Sequence, residues 1–195
     1  REMLTKEEAR RALGLPADKH IVTMVGKPTS ERDIETFLAA AELVPDALFL
    51  SVGGLPHEIE RVKTCKGYNH VTFVERVRPE EVVTYYAASD VIAVLLSTKF
   101  PEIAEFASPL KAREALATGV PVVFSDVPAL HDVADALLVT FVKANDAEAL
   151  AKGTQSILAD FETHQKKATR ARDIFLKQSW QTRAEDIVRF IKTNG

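Results

Sequence analysis

The chain has 195 residues, 46% of them hydrophobic, and a formal net charge of −3. This length predicts one domain with its own core, and the composition excludes disordered, collagen-like and low-complexity chains. The slightly acidic charge argues against a broad electrostatic contact with nucleic acid. The single cysteine, Cys65, excludes an intrachain disulfide and a multi-cysteine metal site. The longest apolar run, Val91–Leu96, is too short for a transmembrane helix, and no signal peptide is visible, so we expect a cytoplasmic protein.

Short apolar runs alternate with longer amphipathic stretches along the chain. Because these runs do not alternate with polar residues, they indicate strands that are buried on both faces. Strands and helices in turn predict an α/β, Rossmann-like, doubly wound parallel sheet of about six strands with helices on both faces. The predicted strands are Ile21–Val25, Ala47–Val52, Val71–Val74, Val91–Leu95, Val120–Phe124 and Leu137–Phe141.

Helix signals lie between the strands and after the last of them. Thr5 and Glu8 fit a capping box, and Gly14 fits the end of the same helix. Other predicted helix starts are N-caps at Ser30 and Ser108 and first-turn prolines at Pro56 and Pro79, and Gly119 is a predicted helix end. The C-terminal part is predicted to be helical over Asp146–Asp160, Glu162–Leu176 and Trp180–Lys192.

The loop after the first strand has the pattern of an anion site. In doubly wound sheets, ligands bind at the carboxyl ends of the strands. Here Gly26 ends a strand, and Lys27 and Arg32 flank a helix start, which offers free N–H groups to a phosphate. The same pattern also fits two solvated cations that Glu31 and Asp33 balance. No G-x-G-x-x-G fingerprint and no Walker A loop is present, which argues against nicotinamide dehydrogenases and P-loop NTPases.

A second candidate site follows the fourth strand, where a long loop leads into a capped helix. Glu114 lies one turn after Leu110 and Lys111, on the same side of that helix. A carboxylate at this place can accept hydrogen bonds from a vicinal diol such as a ribose. An ion pair between Glu114 and Lys111 on a solvated helix face explains the same spacing.

The segment Ser108–Val123, S-P-L-K-x-x-E-A-x-A-x-G-x-P-V-V, resembles the hallmark of the group 1 retaining glycosyltransferases of GT-B architecture. The resemblance is to their C-terminal, nucleotide-sugar donor-binding domain, and it covers nearly the whole chain. Further segments that match in order are Arg11–Pro16, Gly26-Lys27 with Arg32, Phe49–Gly54, Val71–Phe73, Pro79–Tyr86, Ala88–Leu95, Ala147–Leu150 and Ser179-Trp180.

The resemblance implies a nucleotide-diphosphate sugar as substrate and a role for each matched residue. The catalytic pair, Lys27 and Arg32 beside Gly26, would hold the diphosphate and stabilise its charge as it leaves. Glu114 would hold the ribose hydroxyls. The helix start at Ser108, Pro109, Leu110 and Lys111 would offer N–H groups to phosphate or sugar, and Arg76, Val77 and Arg78 would face the base. These enzymes generally need no catalytic metal or further cofactor, and the chain has no Asp-x-Asp motif.

The chain also departs from the family pattern. Phe106 stands eight residues before Glu114, where the family often has a glutamate that contacts the donor sugar, and Glu105 is one step away. Glu75-Arg76 replaces the usual glycine after the third strand. The family has two Rossmann-like domains, and this chain resembles only the second. We therefore expect a fragment without its acceptor-binding N-terminal domain, which binds donor but turns over little or nothing alone.

The expected organisation is a nucleotide-sugar-binding domain over residues 1–178 and a C-terminal helix, residues 179–195, that packs back on it. The expected reaction moves a hexose-type sugar to a glycan, a lipid or a small acceptor. Three alternatives stay open: half of a nucleotide-sugar epimerase, a non-catalytic glycosyltransferase-like module that supports a partner, and a Rossmann-like domain of unrelated use. The expected partners are the donor and the missing domain, with no nucleic acid and with peripheral membrane contact only in the full-length protein.

Overall fold

A computed structural model describes residues 3–178 and 180–194. Its six strands are all parallel and form one sheet in the order β3-β2-β1-β4-β5-β6, which confirms the predicted doubly wound fold. All six predicted strands are present, with small shifts at their ends. They are β1 His20–Val25, β2 Ala47–Val52, β3 Val71–Val74, β4 Val91–Val94, β5 Val122–Ser125 and β6 Thr140–Val142.

Helices cover both faces of the sheet and form the C-terminal part. They are α1 Lys6–Leu13, α2 Ile34–Leu43, α3 Pro56–Arg61, α4 Pro79–Ala88, α5 Pro101–Phe106, α6 Leu110–Thr118, α7 Pro128–His131, α8 Ala147–Ala159, α9 Phe161–Phe175 and α10 Trp180–Asn194. Two 3₁₀ turns, Ser30–Arg32 and Tyr68–His70, precede α2 and β3. The short helix α5 lies in the segment that the sequence predicts as a long loop after β4.

Several helix ends follow their predicted signals. The Thr5 hydroxyl accepts a hydrogen bond from the Glu8 N–H, and the Glu8 carboxylate accepts one from the Thr5 N–H, which completes the capping box of α1. Gly14 and Gly119 end α1 and α6 in the left-handed conformation, in which glycine has no steric penalty. The first residues of α3 and α4 are prolines, as predicted.

Two predicted N-caps are wrong. Ser30 begins a 3₁₀ turn instead of capping α2, because the left-handed backbone at Asp33 interrupts the helix. Ser108 does not cap α6 either, since the N-cap position is held by Pro109 and no side chain there bonds the first turn. The last strand begins at Thr140 instead of Leu137, because the N–H of Leu137 bonds the Asp135 carboxylate in a turn.

The core consists of two apolar layers, one on each face of the sheet. Alternate residues of the strands point to opposite faces, so neighbouring strand residues belong to different layers. One layer joins Ile21, Leu50, Ile92 and Phe124 with α4, α6 and α9. The other joins Val22, Phe49, Val91 and Val123 with α2 and α8.

A buried ion pair fastens α1 to the amino ends of the strands. The Asp90 carboxylate accepts hydrogen bonds from Lys6 Nζ at 2.8 Å, Arg10 Nη2 at 2.6 Å and the Ile21 N–H at 2.8 Å. Burial raises the pKa of Asp90, but these hydrogen bonds and the two positive charges outweigh it, so the pKa lies below its ordinary value. This carboxylate therefore stays ionised within the fold.

The C-terminal helix α10 exposes apolar side chains, at Ile187, Val188, Phe190 and Ile191. Ser179 and the side chain of Trp180, which the resemblance matches to the family's tail, lie outside the described residues. The packing of residues 179–195 back on the domain stays a prediction. No helix within residues 3–178 and 180–194 has both the length and the apolar character that a membrane span requires.

Candidate functional site

The site lies where the chain order of the sheet reverses. β1 and β4 are neighbours, but the chain leaves them toward opposite edges of the sheet, and the diverging loops open a crevice at their carboxyl ends. A cavity of about 490 Å³ occupies this place, lined by the ends of β1 and β4 and by the start of α6. Its size is within the range of roughly 300 to 1,000 Å³ that is typical of ligand sites.

The structure brings residues of both predicted loops into this cavity. Arg32 lines it from the loop after β1, and the start of α6 lines the same cavity. The residues from the second loop are Ser108, Pro109, Leu110, Lys111 and Glu114. No side chain caps the first turn of α6, and the Ala112 N–H bonds the Pro109 carbonyl, so the N–H groups of Leu110 and Lys111 and the positive end of the helix dipole are available to an anion. The cavity therefore brings together a cation, a helix start and a carboxylate.

Gly26 allows Arg32 to reach this position. Its φ of +136° is unfavourable for any residue with a side chain. A Cβ atom at Gly26 would overlap Arg32 Nη1 and stand 3.0 Å from its Cζ, so the guanidinium lies directly against the glycine backbone. The Gly26 N–H donates to the Val52 carbonyl at 2.8 Å, which holds this backbone in line with the neighbouring strand. Gly26 thus shapes the site without itself lining the cavity.

Glu114 forms the ion pair that the alternative interpretation predicts. Lys111 Nζ lies 2.7 Å from Glu114 Oε2, and their side chains are 35% and 46% exposed. Such a solvent-exposed pair contributes only about 0 to 1 kcal/mol. So weak a pair leaves the Glu114 carboxylate available to a hydroxyl-bearing ligand in the cavity.

Two titratable residues of the cavity, Tyr86 and Glu31, were not among the predicted site residues. Tyr86 is only 3% exposed and lines the cavity between Arg32 and Glu114. Burial raises the pKa of Tyr86, the charge of Glu114 raises it further, and Arg32 opposes both. Glu31 also lines the cavity, and hydrogen bonds from its own backbone N–H and the Thr29 side chain lower its pKa.

Lys27 and Phe106 lie outside this cavity. Lys27 Nζ is 3.0 Å from Glu58 Oε1, and the lysine side chain is exposed. Phe106 ends α5, is 80% exposed and does not line the cavity. The roles that the resemblance implies for both residues stay predictions.

The loop after β3 is held by its own contacts. The Arg76 N–H donates to the Gly54 carbonyl at 2.9 Å, and Val77 packs against the apolar layer. Arg78 pairs with Glu80 and Glu81 at the start of α4. None of the three residues Arg76, Val77 and Arg78 lines the cavity, so their contact with a base also stays a prediction.

The described ranges, 3–178 and 180–194, contain no group of three His, Cys, Asp or Glu side chains placed to hold a metal ion.

Comparison with known proteins agrees with this geometry. The family described as Glycosyl transferases group 1 matches residues 5–174. The chain belongs to this family. A relative of this glycosyltransferase chain, the D-inositol 3-phosphate glycosyltransferase of Corynebacterium diphtheriae, is 29% identical over 195 residues, which are 93% of this chain and 44% of the relative. The corresponding enzyme of Mycolicibacterium smegmatis is 32% identical over 151 residues, 73% of this chain and 33% of that protein.

Solved structures share the fold of this glycosyltransferase chain. Sucrose-phosphate synthase from Thermosynechococcus elongatus superposes with a TM-score of 0.79 at 29% identity, over 98% of this chain and 51% of the synthase chain. Alr3699/HepE of Anabaena, solved with UDP-glucose, has a TM-score of 0.79 at 16% identity, over 96% of this chain and 52% of that one. The chain thus spans about half the length of these relatives.

A third structure has the same extent as this chain. It is the C-terminal domain of a group 1 family glycosyl transferase from Francisella tularensis, with a TM-score of 0.69 at 16% identity, over 89% of this chain and 92% of that one. The described fold therefore corresponds to a C-terminal domain of a GT-B glycosyltransferase.

Proposed function

We propose that this chain is the nucleotide-sugar-binding half of a glycosyltransferase that transfers a hexose-type sugar to a glycan, a lipid or a small acceptor. The observation that carries the proposal is the cavity at the β1–β4 switch point, which Arg32, Glu114 and the uncapped start of α6 line together. The names of the relatives, which include several D-inositol 3-phosphate glycosyltransferases, support transfer from a sugar donor.

The proposed chemistry is the departure of a nucleoside diphosphate. The bond between the sugar C1 and the diphosphate oxygen breaks, and its electron pair leaves with the diphosphate. The acceptor hydroxyl forms the new bond to C1, its proton passes to the departing diphosphate oxygen, and the configuration at C1 is retained. Negative charge grows on the diphosphate as it departs, and in this proposal Arg32 and the N–H groups at the start of α6 stabilise it.

Lys27 is the second proposed diphosphate ligand. Its ammonium group pairs with Glu58, and its long, exposed side chain can turn from there toward the cavity. Such an exposed pair is weak enough for a diphosphate to displace Glu58. Lys27 and Arg32 then contact the leaving group from the same loop.

Glu114 is the proposed ribose ligand. A carboxylate accepts hydrogen bonds from both hydroxyls of a vicinal diol, and Glu114 stands one turn inside the helix whose start faces the phosphates. The base then extends toward Arg76, Val77 and Arg78, whose backbone groups form hydrogen bonds with it.

A non-catalytic module is the second candidate function, and Phe106 favours it. At this position the family often has a glutamate for the donor sugar, whereas the exposed side chain of Phe106 offers no hydrogen bond. A transfer assay separates the two candidates. The full-length protein, supplied with UDP-glucose first and then with other donors, is expected to release nucleoside diphosphate, and this chain alone is expected to bind donor without release.

Loss of nucleoside diphosphate binding in both proteins would contradict the proposed function. Binding by both, with release by neither in the presence of a broad acceptor set, would favour the non-catalytic module. Release by this chain alone would refute the proposal that the acceptor half is required.

A further inference from the structure

Two residues with unusual backbone conformation are paired with each other next to the cavity. Among the described residues, Asp33 and Asn145 are the non-glycine residues with positive φ, at 50° and 57°. They stand 112 positions apart, yet the Asn145 N–H donates to Asp33 Oδ2 and Asn145 Nδ2 donates to Asp33 Oδ1, both at 2.9 Å. Residues held in rarely populated conformations persist only where their surroundings fix them, and they often mark functional positions.

The pair belongs to a network that joins three loops at the carboxyl edge of the sheet. Asn145, after β6, also donates from Nδ2 to Ser97 Oγ at 2.8 Å. Its Oδ1 accepts hydrogen bonds from the Thr98 N–H at 2.9 Å and the Thr98 hydroxyl at 2.6 Å. The Ser97 N–H in turn donates to the Glu31 carbonyl at 3.0 Å. The loops after β1, β4 and β6 are therefore fastened to one another.

The Asp33 carboxylate neither caps the N–H groups of its own helix nor takes part in an ion pair among the described residues. It occupies the N-cap position of α2, but it makes no capping bond to the N–H groups of that helix. Asp33 is 1% exposed, and no cation of the described residues forms a salt bridge with it. Burial raises its pKa, while hydrogen bonds from Thr36 and Asn145 oppose that shift. A buried carboxylate without a cation is costly, which points to a role other than stability.

The residue that this network fixes most directly is Arg32. The 3₁₀ turn Ser30–Arg32 is held from both sides, since Ser97 binds the carbonyl of Glu31 and Asn145 binds the side chain of Asp33. Arg32 lies between these two fastened residues, with its guanidinium against Gly26. A shift of the turn moves the guanidinium relative to the start of α6, which lines the same cavity.

We propose that the Asp33–Asn145 clamp is a positioning device that sets Arg32 against the diphosphate of the donor, an inference that rests on the proposed function above. Asp33 acts through Arg32 and does not touch the ligand. Losing the clamp therefore lowers the advantage of a nucleoside diphosphate over the matching monophosphate, and it leaves the nucleoside contacts in place.

The clamp can be tested with a reversed pair, in which the side chains at positions 33 and 145 are exchanged. Asp33→Asn places two amide groups opposite each other and breaks one of the two hydrogen bonds to Asn145. In the double variant Asp33→Asn/Asn145→Asp, the new amide donates to the new carboxylate, and that carboxylate still accepts from Thr98. By calorimetric titration, D33N is expected to lower the diphosphate-to-monophosphate affinity ratio about tenfold, and the reversed pair to restore it to within about threefold.

A double-mutant cycle that combines Asp33→Asn with Arg32→Ala shows whether Asp33 acts by positioning Arg32 or only by supporting the fold. In the R32A background, D33N is expected to change the affinity ratio by less than about twofold, because the residue that the clamp positions is gone. Equal losses from D33N with and without Arg32, or no loss at all, would overturn the clamp. Thermal unfolding of each variant is measured alongside. Asp33→Gly, which adopts positive φ freely, replaces D33N if that variant does not fold.

The same titrations distinguish failure of the clamp from failure of the proposed function. If the wild-type chain binds the diphosphate more tightly than the monophosphate and R32A does not, the proposed function is supported, whatever the result for the Asp33 variants. An unchanged ratio in D33N against that background refutes the clamp alone. Wild-type chain that binds no nucleoside diphosphate refutes both.

Discussion

Gly26→Ala disturbs the proposed diphosphate site through one atom. The new Cβ would overlap Arg32 Nη1 and stand 3.0 Å from Cζ, where ordinary contacts begin at 3.4 Å. The guanidinium therefore has to retreat by about 1 Å or more, which is enough to break a hydrogen bond. Loss of one charge-assisted contact weakens nucleoside diphosphate binding by about 1.5 to 3 kcal/mol, or tenfold and more. The positive φ adds about 1 to 3 kcal/mol of destabilisation.

Gly14→Ala is the matched control for this substitution. Gly14 also has positive φ, at 65°, but a Cβ there meets no atom within 4 Å. It is expected to lower the free energy of unfolding by about 1 to 2 kcal/mol and to leave nucleotide affinity unchanged. The assay is calorimetric titration of both variants with nucleoside di- and monophosphates, together with denaturant unfolding. Unchanged diphosphate affinity in G26A, or an equal loss for the monophosphate, would refute the placement of Arg32 at the diphosphate.

Three further predictions address other contacts. Glu114→Ala is expected to weaken nucleotide binding by about 1 to 3 kcal/mol, with no such loss for a 2′,3′-dideoxynucleotide, and equal losses for both would exclude the ribose contact. Glu58→Gln keeps a hydrogen-bond acceptor at the start of α3 but removes the negative charge that pairs with Lys27. The affinity for the diphosphate, measured by titration, is therefore expected to rise up to about fivefold, and an unchanged affinity would mean that Lys27 does not contact the diphosphate. Because the folded-state pKa of Asp90 lies below its unfolded value, its ion pair stabilises the fold above the unfolded pKa, and that stability is lost as pH falls through the folded pKa. Asp90→Asn is expected to lower the free energy of unfolding by about 3 to 5 kcal/mol near neutral pH, as measured by denaturant unfolding. The variant is also expected to lose less stability than the wild type as the pH falls. An equal loss of stability at acid pH in both proteins would contradict this assignment.

The sheet was predictable because its strands carry their own signal. Runs such as Ala47–Val52 and Val91–Val94 are apolar on both faces, and only a sheet covered on both sides buries them. The start of α2 was not predictable in the same way. Ser30 has the local chemistry of a cap, but the backbone at Asp33 is set by Asn145, which is 112 positions away in the sequence.

The residues of the candidate site were also predictable only in part. The residue patterns and the family resemblance together nominated Arg32 and Glu114, and both line the cavity. Tyr86 was not among the predicted site residues, because no local feature of a tyrosine within a helix marks a ligand site. It lies four residues after the buried Val82 on the same face of α4, and only the packing of α4 against α6 places it in the cavity wall.

The central claim is that the cavity between β1, β4 and α6 binds a nucleoside diphosphate. Its most direct test is calorimetric titration of this chain with UDP, GDP and ADP and with the three matching monophosphates, at low and moderate salt. The account predicts saturable binding of one diphosphate, tighter than its monophosphate, and loss of that difference in Arg32→Ala. Equal affinity for diphosphate and monophosphate, or no saturable binding of any of them, would contradict it.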